Sequence, residues 1–281
     1  MKIVRAQCCG FCTGVAFAYE KAVETAKKGK KAYILGYLVH NSDVIKKLEE
    51  MGVNSIKDLS EIPAGEIPVG VGLIISAHGV GPKTYEDAKK MGLEIVDTTC
   101  PWVKKAQQIA KMLYEDGSQV VIVGDRDHTE VKGIKGWTQE SAIVVEGPKD
   151  VETLPFCEKM GIVAQTTQSV GNFEATVAAL KEKSGTVRVE NTICSATEKR
   201  QEAAIELARQ ADLMIVIGDV RSANTNRLRE LCLGQGVETH MIHSADEIKT
   251  GWLENKKTVG ITAGASTPEW VIKEIVDRLE G

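Results

Sequence analysis

The sequence has no apolar stretch approaching the length of a membrane span, and Met1-Lys2-Ile3-Val4 does not open a signal-peptide apolar region. It has no excess of positive charge. With 35 Lys and Arg against 39 Asp and Glu, the net charge is -4, which argues against a general binder of nucleic acid or of anionic membranes. No low-complexity linker interrupts it, so its parts are expected to be tightly joined. It also lacks the even, closely spaced cysteines of a disulfide framework. Seven are scattered along 281 residues, and in the reducing cytoplasm expected for this chain they speak for metal binding or catalysis. Any anionic substrate must be held by a local constellation of residues.

What is present is the composition of an ordinary globular protein, 43% hydrophobic and 26% charged, and long enough for two or three lobes with a substantial core. Apolar runs near Ile3, Tyr33 to Val39, Leu73, Val96, Val120, Ile143, Ile162, Val187, Leu213, Thr239 and Val259 read as strands. Between them lie helical patterns at Val15 to Lys28, Val44 to Met51, Pro82 to Met91, Trp102 to Tyr114, Glu130 to Gly136, Phe173 to Lys183, Thr197 to Gln210, Asn226 to Leu233 and Pro268 to Leu279. This alternation predicts an α/β fold with mainly parallel, helix-covered sheets.

One environment recurs three times. Cys12, Cys100 and Cys194, 88 and 94 residues apart, each follow an apolar strand and precede a helix, and 28 positions beyond each stands a polar residue: His40, His128 and Ser222. A further 38 positions on come His78 and Thr166; in the third repeat Ser266 arrives six positions late. The pattern predicts three pseudo-threefold-related lobes facing a common centre: 13–97, 98–191, and 192–281 completed by the first strand in 1–12.

A helix amino terminus favours the thiolate, the form that binds metal. Three thiolates could serve a zinc site, but a structural one wants four ligands, and Cys9 and Cys12 have no second knuckle to join. They could hold an iron-sulfur cube with one iron left open as a Lewis acid, or they could be core residues. His40, His78 and His128, with Ser222, Asn224 and Ser266 near helix starts, make a plausible diphosphate pocket. Glu130, two residues past His128, could deliver protons to a leaving hydroxyl, and Thr166 could orient that hydroxyl. Cys8, Cys9 and Cys232 read as packing residues; Cys157 lies outside the repeat; His240 and His243 read as structural.

The ordered series GFCTGV, VHN, SAHGV, DTTCP, HTEVKG, QTT, the Cys194 segment, RSANTNRLRE and TAGAST resembles the motifs of the LytB (IspH) family of 4-hydroxy-3-methylbut-2-enyl diphosphate reductases, from Gly10 to Pro268. The resemblance implies a 4Fe-4S cluster on Cys12, Cys100 and Cys194, surrounded by the three lobes. It places the diphosphate at His40, His78, His128, Ser222, Asn224 and Ser266, and the substrate hydroxyl near Thr166 and Glu130. It implies that the hydroxyl meets the open iron and that electrons enter singly from ferredoxin or flavodoxin. Glu130, aided by His128, would then supply protons, giving isopentenyl and dimethylallyl diphosphate at the end of the non-mevalonate (MEP) isoprenoid pathway. Two positions depart from the family pattern: Thr129 where proline is common, and Ala223 where a second serine is common. The competing expectations are an iron-sulfur electron carrier or structural metal protein, or a paralogous reductase or dehydratase acting on a related allylic substrate.

Overall fold

A computed structural model describes residues 1–63, 65 and 70–281. Twelve strands are described: β1 (Lys2–Arg5), β2 (Ala32–Leu35), β3 (Val53–Ile56), β4 (Gly72–Ile75), β5 (Glu94–Asp97), β6 (Gln119–Val123), β7 (Ile143–Val145), β8 (Cys157–Ala164), β9 (Ser184–Val189), β10 (Leu213–Ile217), β11 (Glu238–Ile242) and β12 (Thr258–Ala263). The helices are α1 (Thr13–Lys27), α2 (Ser42–Glu50), α3 (Pro82–Lys90), α4 (Pro101–Glu115), α5 (Thr129–Gly136), α6 (Pro148–Val151), α7 (Val170–Lys181), α8 (Ser195–Ala208), α9 (Ala223–Leu233) and α10 (Glu269–Glu280).

The strands form three four-stranded sheets, ordered β3-β2-β4-β5, β7-β6-β8-β9 and β11-β10-β12-β1, and every pairing is parallel. The three orders are one pattern. In each, the strand that leads into a cysteine is the edge strand beside the third strand of its sheet: β5 before Cys100, β9 before Cys194, β1 before Cys12. The first strand thus closes the sheet made by the end of the chain, Lys2 to Arg5 pairing with Thr258 to Ile261.

Both faces of the central strands are covered, which is why they read as unbroken apolar runs. In β6, Val121 and Val123 face one core cluster with Ile162 and Phe173, while Val120 and Ile122 face another with Leu113 and Ile134. In β10, Leu213, Ile215 and Ile217 pack with Ile261 and Ile275; Met214 and Val216 pack with Leu207, Leu228 and Cys232. Among the described residues, no helix is long and apolar enough to cross a membrane.

By its contacts the chain forms two compact units. One consists of Met1–Thr13, His40–Ser42 and Cys194–Gly281, and holds the β11-β10-β12-β1 sheet; the other consists of Gly14–Val39 and Asp43–Ile193, and holds the other two sheets.

Three details depart from the sequence expectation. The strand expected over Tyr33 to Val39 ends at Leu35, because Gly36 turns the chain at φ +73° and donates its N–H to the Ile56 carbonyl. The sequence pattern also places His40, His128 and Ser222 at the carboxyl ends of strands; each instead stands five residues beyond one, after β2, β6 and β10. The edge strand β3 and the single turn α6 are additional elements. The six-residue delay before Ser266 coincides with two 3-10 turns, Ala245–Glu247 and Thr250–Leu253, between β11 and β12.

Candidate functional site

In the larger unit, Asp97 accepts the Thr99 N–H at 2.9 Å, closing a turn that delivers Cys100 to the N-cap of α4. The Thr98 hydroxyl binds the Ile75 carbonyl at 2.5 Å, and the Cys100 N–H binds the Ala77 carbonyl at 3.1 Å, so the cysteine is fixed beside the residue preceding His78. The same device recurs before Cys194. Asn191 accepts the Ile193 N–H at 2.9 Å, and the Thr192 hydroxyl binds the Ala164 carbonyl at 2.5 Å. An Asx residue followed by Thr two positions before the cysteine is the local signal of this turn. Sequence reading passed over it in favour of the thiols.

The His78 and His128 rings meet edge to face, with centroids 5.4 Å apart. His128 is the N-cap of α5, and its Nδ1 accepts the Glu130 N–H at 3.2 Å. An accepting Nδ1 leaves the ring proton of the neutral imidazole on Nε2. Glu130 is 2% exposed and held at both carboxyl oxygens by Thr166, whose N–H binds Oε1 at 2.6 Å and whose hydroxyl binds Oε2 at 2.8 Å. Burial pushes its pKa up to about 7; the two Thr166 hydrogen bonds oppose the rise, and the charge of Asp125 adds to it. The carboxyl is thus poised to hold or release a proton near neutrality. Gln165, which sequence reading did not single out, accepts the Asp125 N–H at 2.7 Å and steadies the loop that leads to His128.

In the smaller unit, Ser222 is the N-cap of α9, its Oγ accepting the Thr225 N–H at 3.3 Å. The Ser266 hydroxyl donates to the His40 carbonyl at 3.0 Å and lies 3.5 Å from Ser222 Oγ. His40, Ser222 and Ser266 are therefore brought together. The Cys12 N–H binds the Ala265 carbonyl at 3.2 Å, so Cys12 stands to Ser266 as Cys100 stands to His78. The loop before Ser222 is tied by Asp219, which binds the Arg221 guanidinium at 2.9 and 2.6 Å; that pairing lowers the Asp219 pKa to about 2. His40 is held below its ordinary pKa, first by burial and then by the positive charge of Arg221, and is neutral at pH 7.

Asn224 is 4% exposed, and among the described residues neither its amide oxygen nor its nitrogen has a hydrogen-bond partner. Orphaned buried amides are costly, so this one fits a polar ligand that would satisfy it. Cys12, Cys100 and Cys194 are outside any disulfide and half-buried, each at the start of a helix. That donor set fits thiolate ligation of a metal or cluster. Of the remaining cysteines, Cys232 is fully buried in a core cluster and Cys9 packs against another. His240 stacks on Trp252 and pairs with Glu238, while His243 Nε2 lies 3.1 Å from Ser42 Oγ.

Residues 3–280 match the family model described as LytB protein. The sequence is 48% identical over 279 residues to the 4-hydroxy-3-methylbut-2-enyl diphosphate reductase of Pelobacter propionicus, covering 99% of this chain and 98% of the relative. It is 47% identical over 280 residues to the reductase of the same name from Trichlorobacter lovleyi, covering 100% and 98%. The fold is similar to that of the E-1-hydroxy-2-methyl-but-2-enyl-4-diphosphate reductase of Plasmodium falciparum, with TM-score 0.94, 32% identity and coverage of 100% and 88%. It is also similar, with TM-score 0.71, 37% identity and coverage of 100% and 99%, to a solved (E)-4-hydroxy-3-methyl-but-2-enyl diphosphate reductase described as the terminal enzyme of the non-mevalonate pathway.

Proposed function

This chain belongs to the LytB protein family, and we propose that it reduces 4-hydroxy-3-methylbut-2-enyl diphosphate, with two electrons and two protons, to isopentenyl or dimethylallyl diphosphate and water. Cys12, Cys100 and Cys194 would hold a 4Fe-4S cluster with one iron lacking a protein ligand. Bound there, the cluster supplies the electrons and a Lewis acid for the departing hydroxyl. Ferredoxin or flavodoxin is the class of donor that fits single-electron delivery.

The protein's own residues bind, orient and protonate. The diphosphate takes hydrogen bonds from His40, His78 and His128, from the Ser222 and Ser266 hydroxyls, and from the Asn224 amide, which has no partner among the described residues. His128 presents its Nε2 proton because Nδ1 is engaged. Thr166, bonded to Glu130, orients the substrate hydroxyl and passes it a proton that Glu130 carries near neutral pH. The first proton leaves with the hydroxyl as water; the second ends on one of the two allyl carbons and decides the product. The clamped, buried carboxyl of Glu130 carries this reading best, since an electron carrier or structural metal site has no use for a proton donor of that kind.

The test is anaerobic turnover of the iron-reconstituted protein with the hydroxymethylbutenyl diphosphate and reduced methyl viologen. Dye oxidation with formation of isopentenyl and dimethylallyl diphosphate is expected. Glu130→Gln should cut the rate by at least two orders of magnitude while leaving the visible spectrum of the cluster unchanged. An intact four-iron cluster with bound substrate and no dye oxidation in the parent would refute the proposal. Turnover without any reductant would instead indicate a dehydratase.

A further inference from the structure

Among the described residues, Arg200 is a buried cation without a paired carboxylate. It lies on α8, six residues past Cys194, and only 4% of it reaches solvent. Its Nη2 donates to the Gly10 carbonyl at 2.6 Å and its Nη1 to the Ala196 carbonyl at 3.2 Å, whereas Nε is sealed from solvent with no partner. Among the described residues no carboxylate pairs with it. Arg5 and Arg221, by contrast, each have one, in Glu269 and Asp219. A guanidinium withdrawn from water onto two carbonyls is strongly unfavourable unless an anion completes its surroundings.

The two carbonyls say where that anion belongs. Gly10 turns the chain into Cys12 at φ +87°, and a Cβ there would press to 2.9 Å from Ile272 Cδ1 and 3.3 Å from the Thr267 carbonyl. Ala196 belongs to the first turn of the helix that opens after Cys194. The guanidinium therefore ties together two cysteine-bearing turns of the smaller unit. Its charge is also felt at the Cys9 thiol, where burial raises the pKa and both Arg5 and Arg200 oppose the rise.

We infer that Arg200 is the brace and the counter-charge of the thiolates of Cys12 and Cys194, holding their turns together and favouring the reduced state of the cluster they ligate. The inference rests on the cluster proposed above. Three thiolates outweigh the positive iron-sulfide core, so the bound cluster is anionic and becomes more so with each electron accepted from the donor. A buried cation offsets that added charge in surroundings where salt cannot screen it. Arg200 acts through the turns it ties and is a positioning residue.

The experiment is a potentiometric titration of reconstituted wild type, Arg200→Gln and Arg200→Lys with dithionite, anaerobically and without substrate. The reduced cluster is read by its EPR signal, and iron content is matched between samples. Arg200→Gln should disfavour the reduced state at least tenfold, a shift of about 59 mV for one electron. Arg200→Lys keeps the charge and should shift less than half as far, with an altered EPR line shape because the fork across both carbonyls is gone. Equal potentials in wild type and Arg200→Gln would overturn the inference, as would a Lys variant displaced as far as the Gln variant. If Arg200→Gln retains no iron, retention by Arg200→Lys supports the assignment, and loss by both with unchanged circular dichroism overturns it. A wild type that takes up no cluster refutes the proposed function together with this inference; one that loads a cluster but leaves the substrate unreduced refutes the function alone.

Discussion

The Glu130 carboxyl titrates at about 7 in the folded protein against an ordinary value of 4.5, so over that interval the folded protein keeps a proton that the unfolded chain has released. Stability then falls as pH rises. The contribution is full below the ordinary value, declines across the interval, and is gone above about pH 7, amounting to up to about 3 kcal/mol. Melting of the apo-protein between about pH 5 and pH 8 should show wild type losing stability relative to Glu130→Gln; parallel curves would contradict the shifted pKa. At the scale of single residues much was legible in the sequence. His40, His78, His128 and Thr166 stand at offsets that repeat with the cysteines, with Glu130 two residues past His128, and a repeat can be read without knowing the fold. Contacts across long separations could not be read. Nothing local announces that Arg200 meets Gly10, 190 residues earlier, or that Gln165 holds the loop at Asp125.

The helix α5 carries Glu130 at its start and is braced at its far end by the segment 79–81. The Trp137 indole N–H binds the Val80 carbonyl at 3.0 Å, and a Cβ on Gly136 would lie 2.8 Å from the Cα of Gly81. Alanine is the better helix former by about 1 kcal/mol. Here the contact is with rigid backbone, so the helix must move and the clash outweighs that gain. Gly136→Ala is expected to lose about 1–3 kcal/mol in urea denaturation and to turn over more slowly at unchanged iron content. A variant as stable and as active as its parent would show that α5 has room to spare. Elements with strong periodicity were legible to within a few residues. The strand β3 was not, because Val53-Asn54-Ser55-Ile56 is a four-residue edge with polar residues at its centre. The strand before His40 was drawn too long because Leu38 and Val39 are apolar for reasons of packing beyond a glycine turn: both are fully buried without being in a strand.

Across the whole molecule, one strand order serves three sheets, and the first strand completes the sheet formed at the other end of the sequence. That closure was legible, because an apolar strand ahead of the first cysteine had no other sheet to lead out of by analogy with the strands before Cys100 and Cys194. It makes the amino-terminal strand an anchor of the Cys12 turn. Deleting residues 1–5 should abolish iron retention although all three cysteines remain; a deletion variant that reconstitutes to the parent's iron content would show that the Cys12 turn is held without it. The same closure sets a clock on biosynthesis. Cys12 is made early, but β12, the partner of its strand, ends at Ala263. At roughly 5–20 residues per second, the ribosome leaves that thiol without its final neighbours for about ten to fifty seconds. Throughout that interval the Cys12 turn lacks the strand that holds it, so its final geometry is set only once β12 has been made.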